Sequence, residues 1–138
     1  MAELTPRDQV LVQQAKDLVA PAPVPGGTIG LVAAVLRTES GQVYQGVCLH
    51  LVCGLGVCAE HTALGTMVTS QGPGRIDTIV ASNAGGVIPP CGRCRELLSV
   101  ASLDSAPMWV IVSERQKVRL ASLMPHPWRP TPLATAAS

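Results

Sequence analysis

Two short stretches constrain this chain more than any other feature: Cys58-Ala59-Glu60, and Pro90-Cys91-Gly92-Arg93-Cys94 further along. Zinc is usually tetrahedral, and a catalytic zinc keeps three protein ligands and one open position. Cys58, Cys91 and Cys94 would supply three thiolates. Glu60, two residues beyond a ligand, would reach an attacking water without binding the metal. A lone Cys-x-x-Cys is ambiguous between metal, redox chemistry and chance. The pair says more, because each half opens a predicted helix, His61–Ser70 after the first and Arg95–Ser102 after the second. A helix start carries partial positive charge and stabilises thiolates. A structural zinc or a redox dithiol would use the same residues. A structural site typically wants a fourth protein ligand, for which Cys48, Cys53 or a histidine is at hand.

The rest of the chain reads as strands and helices that would hold such a site. Thr5 caps a first helix, with Pro6 at its first position and Asp8 at its positive end. Leu11, Ala15, Leu18 and Val19 share one face of it. Residues 21–27, rich in Pro and Gly, form a stiff connector. The apolar run Thr28–Arg37 reads as a buried strand and pairs as a hairpin with Gln42–His50. Further strands are expected at Arg75–Ala81, Pro107–Ser113 and Lys117–Ala121, with a loop over Ser82–Pro90 that delivers Cys91. A hairpin followed by strand–helix alternation predicts an α/β sandwich on a mixed five-stranded sheet, with the site at one sheet edge. One domain spans 1–138, and residues from about 125 onward form an extended Pro-rich tail.

Composition narrows the function. The residues are 47% hydrophobic and 14% charged, against a usual charged share of about 25%, which points to surface covered by subunit contacts. No apolar run reaches about 18 residues, so no membrane span is expected. Net charge is +1 without a basic cluster, and the chain has no Phe, so no nucleic-acid footprint is expected. The first residues lack the basic and apolar regions of a signal peptide. Five cysteines, an odd number, fit a reduced set in the cytoplasm better than a disulfide framework.

At these residues the chain resembles the cytidine deaminase family. The segment VCAEHTALG is similar to that family's Cys-Ala-Glu-Arg-Thr-Ala, PPCGRCREL to its Pro-Cys-Gly-x-Cys-Arg, and LASLMPHPW to its C-terminal Leu-Leu-Pro-x-x-Phe. The resemblance implies a three-layer α/β/α sandwich and a zinc-dependent, homotetrameric enzyme that removes ammonia hydrolytically from an aminopyrimidine, with Glu60 as proton shuttle. Departures concern substrate more than chemistry. Cys48 and His50 stand where the family's Asn-x-Glu holds ribose hydroxyls, Gly30 where it has a stacking Phe, and His61 where it has an Arg. On the missing Arg and Phe, and on Pro-Cys-Gly-Arg-Cys-Arg, the chain leans toward the blasticidin S deaminase branch. Cys48, His50, Ala59 and Trp128 are the candidate substrate-binding residues. The expected reaction is deamination of an aminopyrimidine-type nucleoside, nucleoside analogue or related amino-heterocycle. The alternatives are a true cytidine or deoxycytidine deaminase and an inactive zinc-binding scaffold. A nucleic-acid editing deaminase is disfavoured by Cys58, because editing enzymes typically place His there.

Overall fold

The strand β3 (Gly27–Thr38) divides its side chains between two cores, and the layering follows from that division. Ala34 and Leu36 point to one face; Val35 points to the other. The central strand β5 (Ile76–Asn83) alternates in the same way, with Ile79 and Ala81 against Val80, as does β7 (Trp109–Ile111), with Val110 against Ile111. A strand buried on both faces needs a cover on each. Helix α1 (Pro6–Leu18) covers one with Leu11, Val12 and Ala15. Helices α2 (Ala59–Gln71) and α3 (Gly92–Ala101) cover the other with Ala63, Leu64, Met67 and Leu98.

The computed structural model of the chain describes residues 1–128. Its five principal strands run in the order β4–β3–β5–β7–β8, where β4 is Val43–Leu51 and β8 is Gln116–Arg119. The β5–β7 pair is parallel, and the other pairs in this row are antiparallel. This is the expected α/β/α sandwich on a mixed sheet. Three short strands extend it: β1 (Ala2–Glu3) on β8, β2 (Ala22–Val24) on β3, and β6 (Gly86–Ile88) on β5. Two of them revise the sequence reading, since β2 lies in the expected connector and β6 in the expected loop. Each pairs through backbone alone, so neither needs a hydrophobic pattern. The last expected strand ends at Arg119 and passes into a short 3-10 helix, Leu120–Leu123. Residues 129–138 of the expected tail lie outside the described residues.

Helix α1 is fixed by charge as well as by packing. Thr5 and Asp8 form a reciprocal capping box. The Asp8 carboxylate is 0% exposed and accepts from Lys117 Nζ at 2.7 Å and Arg37 Nη2 at 3.1 Å. Arg37 also binds Asp77 Oδ2 at 2.7 Å. Burial alone would raise the Asp8 carboxyl. The hydrogen bonds from Lys117, Thr5 and Arg37 outweigh it and hold the pKa at about 2. Because the folded value lies below the unfolded one of 3.8, this stabilisation is complete above about pH 4. It is lost as pH falls toward 2, and acid unfolding should show it as a loss of about 2 kcal/mol. Asp8→Ala at neutral pH should cost about 3–5 kcal/mol in denaturant unfolding, because buried Lys117 loses its ion-pair partner and buried Arg37 loses one of two.

Candidate active site

Sheet pairing and helix packing bring two helix starts together. After β4 the chain loops through Val52–Gly56, where Cys53 (φ 59°) and Gly54 (φ 67°) both take left-handed backbone. It then returns so that Val57 and Leu49 exchange both backbone hydrogen bonds, at 3.0 and 3.1 Å. The next residue, Cys58, is the N-cap of α2. That helix lies close on β4 at Gly46, where any Cβ would collide with the backbone of Thr62 and Ala63. The second start comes from the β5–β6 hairpin, turned by Asn83, whose side chain accepts the Gly85 N–H at 2.8 Å. Pro89 and Pro90 then lead to Cys91, the N-cap of α3. Arg95 Nε donates to the Pro90 carbonyl at 3.0 Å and ties this approach to the helix it feeds.

The sulfurs of Cys58, Cys91 and Cys94 all lie within 4.8 Å of one another. Cys58 Sγ and Cys91 Sγ are 3.8 Å apart. Two sulfurs about 2.3 Å from one tetrahedral zinc should stand about 3.8 Å apart, so the donor set fits that ion. All five cysteines are free thiols. Burial pushes the Cys58 thiol up, and burial together with the Glu60 charge pushes Cys94 up strongly. Cys91 is held below its usual value. Burial opposes this, but the Cys94 backbone N–H, the neighbouring thiols and the Arg93 N–H outweigh it. Three thiols this crowded cannot all ionise without a cation among them. Glu60, in the first turn of α2, is 5% exposed, and burial raises its carboxyl pKa. A carboxyl so raised is suited to carrying a proton at neutral pH.

These groups open onto a cleft of about 460 Å³. The structure brings Cys58, Cys91 and Glu60 to it together with three of the expected substrate-binding residues, Cys48, His50 and Ala59. It does not bring the fourth, Trp128, which is 64% exposed and outside the cleft lining. Gly30 does not face the cleft. Its φ is +77°, and a Cβ there would collide with the Ala20 carbonyl. Between Ile29 and Ala33 the β3–β4 register slips. The slip turns Val32 to the cleft and leaves its N–H to the Cys48 sulfur at 3.3 Å. Counting residues back from a turn could not reveal this, because the bulge changes the count. Arg93 also lines the cleft, a placement its position between two ligand cysteines left open. His61 is half-buried, with Nδ1 buried and without a hydrogen bond among the described residues.

No protein-family model matches the chain. A blasticidin-S deaminase of Bacillus cereus is 33% identical over 104 residues, covering 68% of this chain and 74% of the relative. Among solved structures, cytidine deaminase from Mycobacterium tuberculosis superposes with a TM-score of 0.74 at 28% identity, covering 87% of this chain and 95% of that one. The cytidine deaminase from Burkholderia pseudomallei gives 0.71 at 27%, covering 91% and 100%. The Mycobacterium leprae enzyme, at 23% identity and a TM-score of 0.73, shares the fold. Fold and relatives together define a zinc-dependent hydrolytic deaminase. The chain belongs to the cytidine deaminase family.

Metal analysis should find one zinc per chain in the purified protein. Cys91→Ala should lose it, whereas Cys53→Ala, at an exposed thiol outside the trio, should retain it. Zinc retention should fall toward acid pH, where protons compete for the thiolates.

Proposed function

We propose that residues 1–138 act as one cytidine deaminase-like domain that hydrolyses the exocyclic amine of an aminopyrimidine or similar small heterocycle. The convergence of three thiols with a buried carboxylate in one cleft carries this reading. Cys58, Cys91 and Cys94 would hold the zinc. Its Lewis acidity makes water a nucleophile at neutral pH. Glu60 takes one proton from the attacking water and delivers it to the ring nitrogen, then takes the second from the hydroxyl so formed on the ring carbon and delivers it to the departing amine. A C–O bond forms, the exocyclic C–N bond breaks, and ammonia leaves. Val32 and Ile88 line the cleft and exclude water from around the ring.

The substrate carries a substituent other than an ordinary ribose. Where hydroxyl recognition needs an amide and a carboxylate, the second strand offers a thiol and an imidazole. The Cys48 thiol is already engaged by the Val32 N–H. The B. cereus relative's name favours this reading, and the cytidine deaminase neighbours favour plain cytidine as the second one. The low charge supports a homotetramer in closed symmetry, and the free thiols support the cytoplasm.

Glu60→Gln should keep zinc and fold but lose turnover by about 10²–10⁴-fold or more. An active variant would exclude the proton-shuttle role. Ammonia release should be measured on cytosine, cytidine, deoxycytidine, blasticidin S and amino-triazines. Cytidine should be a poor member of that panel. If it is the best, at a kcat/KM of about 10⁴–10⁸ M⁻¹s⁻¹, the second reading holds. Sedimentation at micromolar concentration should show an assembly larger than one chain.

A further inference from the structure

The charges lining the cleft are unequally placed. Its one carboxylate, Glu60, is buried beside the thiols. Nearer solvent, Arg93 lines the same cleft, with its side chain exposed and without an ion pair or hydrogen bond among the described residues. His50, also exposed, lines the cleft and makes no side-chain hydrogen bond among those residues. The neighbouring wall is apolar, built from Val32, Leu51 and Ile88. An arginine fork is always charged and matches the two oxygens of a carboxylate or phosphate. Even a neutral imidazole offers one N–H. Four other arginines are committed, Arg37 to Asp8 and Asp77, Arg75 to Glu39, Arg95 to the Pro90 carbonyl and Arg119 to the Pro107 carbonyl, and Arg7 and Arg115 lie outside the cleft lining.

We infer that the substrate's ring substituent is anionic, a carboxylate or a phosphate, and that Arg93 with His50 receives it. This rests on the deaminase reading of the same cleft and names the chemistry of its outer end. Both side chains line the same cleft as the thiols, so a substrate whose ring amine reaches the thiols shares that cleft with them. A cationic substituent would meet a like charge there, with no exposed carboxylate in the lining to offset it.

The test uses the zinc-loaded enzyme and matched substrates. Cytosin-1-ylacetate, its neutral carboxamide and 1-(2-aminoethyl)cytosine differ chiefly in the charge of a short substituent. Deoxycytidine 5′-monophosphate and deoxycytidine form the phosphate arm. Whichever anion is recognised, its kcat/KM should exceed that of its neutral partner by about tenfold or more, chiefly through KM. The aminoethyl compound should be the poorest of the cytosine set. Arg93→Gln should collapse the anion-to-neutral ratio to about one, while Arg93→Lys keeps part of it because the charge survives without the fork. Equal turnover of anion and neutral partner in both arms would overturn the proposal. So would an Arg93→Gln variant that loses zinc and slows every substrate alike, since Arg93 would then serve the thiol cluster. Release of ammonia from none of the compounds, with zinc bound, would instead sink the deaminase reading beneath it.

Discussion

Cys58 and Cys91 each sit just outside a helix, and the site exists only if those two helix starts meet. Neither helix is positioned by its own sequence. Helix α2 is pressed onto β4 at a glycine that admits no side chain, and the Val57–Leu49 bridge closes the loop feeding it. Helix α3 is fed from the far edge of β5, through a hairpin and two prolines. Both then pack on one face of the same sheet, so β3 and β5 are the ruler between the thiols. Their double-sided burial makes that ruler stiff, and α1 on the opposite face is part of the site's support although it touches none of its ligands.

The electrostatics follow from this arrangement. Helix starts favour negative charge, and this one edge carries two of them with three thiols. Protein dipoles are not enough to ionise all three, since Cys58 and Cys94 are pushed up while only Cys91 is held down. The trio is therefore a charge arrangement that a divalent cation offsets down to one net negative charge. Glu60, in the first turn of α2, is not one of the three clustered thiols but lies within the same low-dielectric floor. On the other side of the sheet the opposite solution is used. Asp8, Arg37, Asp77 and Lys117 complete one another inside the protein and need no ion. Nothing local in Asp8 announces that cluster, because Lys117 is a hundred positions away in the chain and joins only through the tertiary fold.

What was legible in the sequence depended on how local the physics was. Thr5, Pro6 and Asp8 mark a helix start through contacts within one turn, and the structure forms that capping box. The cysteine spacing worked because Cys91 and Cys94 are neighbours on one turn of one helix. The apolar runs marked β3, β5 and β7 because burial on two faces leaves a near-continuous hydrophobic record. The short strands β2 and β6 left no such record. They pair at the sheet's margins with residues such as Pro23 and Gly86, which read as connector and turn.

The outer cleft was the least legible part, and the reason is the β3 bulge. Strand alternation assigns faces by parity, and between Ile29 and Ala33 that alternation is interrupted, because pairing with β4 steps by two residues. On simple counting Gly30 occupies the position that faces the ring. In the fold its left-handed backbone and its contact with Ala20 turn it toward the α1–β2 connection. Pairing with β4 resumes at Ala33, two residues out of the earlier register, and Val32 is left facing the cleft with an N–H that the β4 backbone does not pair. Cys48 takes that N–H through sulfur. The thiol that stands where the family keeps an amide thus serves the backbone first, which leaves the polar recognition of this cleft to the two side chains beyond it, His50 and Arg93.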